Sequence, residues 1–162
     1  MLVVKDFDKQ NVVTDEQIKA AIAKVPVLHL QGLEYIVYDP SRFFQRSYVA
    51  PKPINYKVVG QYNQIPKKFI CIHRISHVNE FNHVLYHEIG HHVFNQILPS
   101  QLRVAWVNDI YPHSSHFVSE YASKNAQEDF CESYSCFYTK FNELAKDSRK
   151  LAFIRNCMRC QI

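Results

Sequence analysis

Apolar positions along the chain recur first at helical, then at alternating, then again at helical spacing. Ile18, Ala21, Ile22 and Val25 follow the capping-box sequence Thr14-Asp15-Glu16-Gln17 and stop at Pro26, which predicts an amphipathic helix over residues 15–24. Leu33-Glu34-Tyr35-Ile36-Val37-Tyr38, rich in β-branched and aromatic residues and closed by Asp39-Pro40, predicts a strand. A second strand is expected over 42–49, before Pro51 and Pro53 interrupt the pattern. Residues 56–62 and 68–73 predict a hairpin turning at Gln64-Ile65-Pro66. Beyond it, Phe81, Val84, Leu85, Ile89, Val93 and Ile97 give one apolar helical face over 79–98, stopped by Pro99. A short helix is expected within 100–110, a polar loop over 111–116, a helix opened by Asn125 with Phe130, Tyr134, Phe137, Tyr138 and Phe141 as packing residues, and a last helix over 144–158. The fold class is therefore α+β, a small N-terminal mixed sheet with a helix and a helical C-terminal half, and residues 1–162 suit one domain.

Composition narrows the function classes. The chain is 47% hydrophobic and 14% aromatic, which fits a packed core and argues against long disorder. Its net charge of +4 comes from dispersed Lys and Arg, so nucleic acid is not expected as a partner. No segment has the pattern of a signal peptide or a membrane span, and five cysteines without a disulfide framework fit a reducing compartment. The cytoplasm is the expected location.

The candidate chemistry lies in the 79–98 helix, at His87-Glu88-Ile89-Gly90-His91. On a helix His87 and His91 share one face a turn apart, so both imidazoles can meet one zinc ion at roughly 2.0–2.1 Å. Glu88 falls beside the metal, where it can act as general base on a water molecule. His92 should point away from the metal, and His83 is expected to serve packing or the surface. Gly90 costs a helix interior about 1 kcal/mol relative to Ala, so close packing is expected there. A catalytic zinc site needs a third protein ligand. A third histidine spaced after His91 is excluded, because Phe94 and Ile97 occupy the required Gly and His positions. A carboxylate from a later helix is the remaining common solution, with Glu120, Glu128, Asp129 and Glu132 as candidates, and Glu128 and Glu132, four apart, face the same way.

The HExxH run, Ser119-Glu120-Tyr121-Ala122, and Asn125-Ala126-Gln127-Glu128-Asp129-Phe130-Cys131-Glu132 together resemble the protease domain of anthrax lethal factor and the Pro-Pro endopeptidases, zincins of the gluzincin type. The likeness covers roughly residues 56–141 and departs at Cys131, where the family usually has Ala. It implies a compact zincin-like domain. It further implies one zinc ion per chain on His87, His91 and Glu128, with Glu132 supporting the site from behind the ligands and Tyr121 stabilising the transition state. The activity implied is that of a zinc-dependent endopeptidase. Its protein or peptide substrate would lie extended along the sheet edge at residues 56–63. Well-known members act outside the producing cell, which makes delivery without a signal peptide the alternative to a cytoplasmic role. Three other readings compete: a cytosolic HExxH protease that cleaves a repressor, a zinc-dependent binding module using Cys157 and Cys160, and a fold that keeps zinc but has lost turnover.

Overall fold

The computed structural model describes residues 2–41 and 59–159. Thr14 opens α1 (Asp15–Ala23) with a reciprocal cap: its hydroxyl accepts from Gln17 N at 3.3 Å, and Thr14 N donates to Gln17 Oε1 at 2.9 Å. Ile18 and Ala21 bury the inner face of this helix. Four strands, β1 (Val3–Lys5), β2 (Tyr35–Tyr38), β3 (Gly60–Asn63) and β4 (Phe69–Ile72), form a mixed sheet in the order β1-β2-β4-β3. β2 runs parallel to both β1 and β4, and β3 pairs antiparallel to β4 from Gly60↔Ile72 to Asn63↔Phe69. The hairpin expected around Gln64-Ile65-Pro66 is therefore present.

Several elements differ from the sequence expectations. β1 was not anticipated, since three exposed residues are too few to display an alternation and only their pairing with Tyr35–Val37 makes them a strand. The expected strand over 42–49 lies outside the described residues, as do positions 56–58 of the first hairpin strand. The helix expected over 79–98 is α-helical as α2 (Val78–His92) and then widens. Leu98 N donates back to Val93 O, five residues earlier, at 2.8 Å, which satisfies that carbonyl just before Pro99 ends the helix. The expected 100–110 helix divides in the same manner, into α3 (Ser100–Ala105) and a wide turn over Trp106–Ile110.

After α4 (Ala126–Thr139), the C-terminal helix expected over 144–158 is two elements, α5 (Phe141–Leu144) and α6 (Ser148–Arg159). Asp147 makes the break. Its Oδ1 accepts from Arg149 N and Lys150 N, at 3.1 Å each, and so opens α6 as a cap.

α2 lies between the sheet, which it meets at β3 and β4, and α4. One face carries Phe81, Leu85 and Ile89, none of them exposed, into a core that extends from Phe7 to Cys157. Gly90 permits the close approach expected of it: a Cβ there would lie 3.0 Å from Cys131 Cα and 3.3 Å from Cys131 Cβ. Because the obstacle is backbone, Gly90→Val is expected to destabilise the metal-free protein by about 1–3 kcal/mol in urea unfolding, although valine has the better helix propensity. Unchanged stability would show that the two helices can separate at no cost. No helix among the described residues is long and apolar enough to cross a membrane.

Candidate metal centre

α2 begins at His77, whose imidazole accepts from Glu80 N at 3.1 Å, and this start fixes which residues face α4. His87 and His91 are on that face with ring centroids 4.9 Å apart. α4 begins at Asn125, whose side chain accepts from Glu128 N at 2.9 Å. The cap uses only the Glu128 backbone. The side chain turns to α2, placing Oε2 3.2 Å from His87 Nε2 and 3.4 Å from His91 Nε2. These three groups offer ligand atoms within 4.8 Å of one another and could hold a metal ion.

The donor set fits a divalent metal on two counts. Glu128 Oε2 is buried without a hydrogen-bond partner, although both imidazoles stand at ion-pair distance, so a cation among the three would complete it. Ligand atoms of a tetrahedral zinc site with bonds near 2.0–2.1 Å are about 3.3 Å apart, which matches the spacing of Glu128 from each histidine.

Glu132, one turn after Glu128, stands behind the ligands. Its Oε1 is 2.7 Å from His87 Nδ1 and 3.1 Å from His83 Nε2, and its Oε2 accepts from Ser119 Oγ at 2.7 Å. Ser119 Oγ in turn accepts from Ala122 N at 3.0 Å, tying the carboxylate to the 3-10 turn Ala122–Lys124. Tyr121 precedes that turn, its ring centroid 5.7 Å from that of His87. Burial, reinforced by Glu128, Glu88 and Glu132, pushes the Tyr121 hydroxyl up to about 12, so at neutral pH it is a donor. Glu88 is 7% exposed and lines the same cavity, about 510 Å³ in volume. β3 forms one wall. Gly60 sits so near α2 that a Cβ would meet Val84 Cγ1 at 2.5 Å and Glu88 Oε1 at 3.3 Å.

The other candidates fall elsewhere. Asp129 faces away toward Lys150, 2.6 Å from its Nζ, and Glu120 is exposed. His92 points away from the centre as expected: its Nδ1 meets Tyr62 Oη and its Nε2 meets Gln31 O, each at 3.0 Å. His83 corrects the expectation of a packing or surface role. One turn before His87 it also faces α4, so it lines the cavity and shares the Glu132 carboxylate. Sequence reasoning also passed over Gln127, whose Nε2 is 3.0 Å from His91 Nδ1. The available signal was its place immediately before Glu128 on a helix facing both histidines. Of the Cys157/Cys160 pair, Cys157 is buried and Cys160 lies outside the described residues.

The carboxylates favour positive charge at the centre. Burial works against charge on His87, but the Glu128 and Glu132 carboxylates beside it outweigh that and raise the imidazole to about 10. Burial likewise opposes ionisation of Glu128, yet His87 and His91 hold it down at about 2; Glu132 is driven well below the usual carboxylate range by His83 and His87. A proton on His87 thus substitutes for a metal. Its stabilisation is complete below the unfolded pKa of about 6.5 and is lost as pH rises through the folded value near 10. The metal-free protein is therefore expected to lose melting temperature between pH 7 and 10, and saturating zinc should flatten that slope. Parallel pH profiles with and without chelator would reveal a proton that does not compete with the metal.

In comparisons with known proteins the chain matches no family model, no curated protein and no solved structure.

Proposed function

We infer that the protein is a zinc-dependent endopeptidase of the lethal factor type. The observation that carries this reading is the convergence of His87, His91 and Glu128 within 4.8 Å, beside a cavity lined by both histidines together with Glu88 and Tyr121. Zinc, when bound, supplies Lewis acidity toward a peptide carbonyl and toward water. Glu88 takes the proton of the attacking water and returns it to the leaving amine. Tyr121, protonated and partly buried, donates a hydrogen bond to the developing oxyanion. Glu132 holds His87 in the orientation in which Nε2 faces the site. An extended peptide lies along β3, adding a strand to the sheet.

The test is zinc content per chain, by elemental analysis, on the native protein and on Glu128→Ala, Glu88→Ala and Cys157→Ser/Cys160→Ser variants. One zinc is expected in the native, Glu88→Ala and double cysteine proteins, with most of it lost from Glu128→Ala. A peptide-library digest with the native protein follows. Full zinc in Glu128→Ala, with loss in the cysteine variant, would overturn the reading in favour of a binding module.

A further inference from the structure

The two histidines of the centre are backed differently. His87 Nδ1 faces the Glu132 carboxylate at 2.7 Å, and an ionised carboxylate can only accept, so that bond keeps a proton on Nδ1. His91 Nδ1 faces the Gln127 carboxamide, which can donate from nitrogen or accept at oxygen. The amide nitrogen is turned to it at 3.0 Å. Nδ1 is then the acceptor and the ring proton sits on Nε2, the nitrogen 3.4 Å from Glu128 Oε2. In that tautomer His91 offers no lone pair to a metal. Rotation of the amide about its terminal torsion, which is broad and roughly two-fold, places Oε1 where Nε2 was. The proton then belongs on Nδ1, and Nε2 is free to ligate.

We propose that Gln127 is a positioning residue of the metal centre: its carboxamide turns over when metal binds and sets the tautomer of His91. The inference rests on the zinc reading above. It explains the place of a neutral amide immediately before Glu128 on α4. With Glu88, Glu128 and Glu132 already around the centre, Gln127 supplies an acceptor without a fourth negative charge. In the absence of metal the same side chain supplies a donor, so His91 is partnered in both states.

The experiment is zinc affinity by competition with a chromophoric chelator, on the native protein and on Gln127→Leu, Gln127→Glu and Glu128→Ala, with melting curves in chelator to check the fold. Gln127→Leu, which lacks an acceptor, is expected to weaken zinc binding about 10–100-fold, whereas Gln127→Glu, which can only accept, binds at least as tightly as the native protein. Nitrogen-15 spectra of the histidine rings, recorded on the native protein, are expected to place the His91 proton on Nε2 without zinc and on Nδ1 with it. A Gln127→Leu affinity within about twofold of native overturns the proposal, as does a His91 proton that stays on Nε2 in the zinc-loaded protein. Either result, with Glu128→Ala still losing zinc, leaves the zinc reading standing. A native protein that binds no zinc, or binds it equally without the Glu128 carboxylate, overturns both.

Discussion

Glu88→Gln is expected to hydrolyse peptide about 10²–10⁴-fold more slowly than the native protein at equal zinc occupancy, with the loss in kcat rather than KM. The substitution keeps shape and volume, which matters where the side chain is 7% exposed and has Gly60 directly against it. It removes the ability to accept a proton and leaves His87, His91 and Glu128 untouched. Zinc content should be unchanged, which separates this variant from Glu128→Ala. The measurement is single-turnover cleavage of a peptide taken from the library digest, with zinc quantified on the same samples. A Gln variant within about threefold of native kcat would remove Glu88 as the general base, since a positioned base contributes far more than that.

The second large effect lies away from the centre, at Lys150. This lysine is fully buried on α6, with Nζ 2.6 Å from Asp129 Oδ1, 3.0 Å from His116 O and 4.2 Å from the Phe117 ring centroid. Burial pushes the Asp129 carboxyl up to about 6 even though Lys150 pulls it down. Lys150→Met leaves that carboxylate buried without its cation, at an expected cost of about 3–5 kcal/mol in urea unfolding at pH 8. The cost should shrink at pH 5. A carboxyl with a raised folded pKa stabilises most below its unfolded value and loses that contribution as pH rises through the folded one, so Asp129 becomes harmless once protonated. Adding Asp129→Asn to Lys150→Met should recover much of the loss at pH 8. A cost equal at both pH values would show that the lysine acts by packing alone.

What could be read from the chain before folding was whatever depends on spacing within one element. The α1 cap, the α2 face with His87 and His91, and the close contact at Gly90 all follow from local periodicity or from the cost of a glycine in a helix. The convergence of Glu128 on the two histidines needed a tertiary contact. The sequence held it only through a resemblance, since Asn125 and Glu128 equally spell an ordinary cap. Lys150 and His83 were not legible. A lysine in a helical pattern reads as a solvated residue until an aspartate from another helix meets it, and His83 gains its role only from the carboxylate that α4 brings. β1 was lost for a similar reason, because its three residues carry no pattern apart from their partner strand.

β3 has four residues and three separate fastenings: ladder pairing to β4, Gly60 seated on Val84 and Glu88, and the Tyr62 hydroxyl on buried His92. Its other edge carries no strand among the described residues. A strand held this firmly is preorganised, its backbone entropy spent when the protein folded. A peptide docking along it would bear only its own ordering cost, about 1–2 kcal/mol per residue. That arithmetic favours short contacts, with a few residues gripped on either side of the histidines in place of a long embrace.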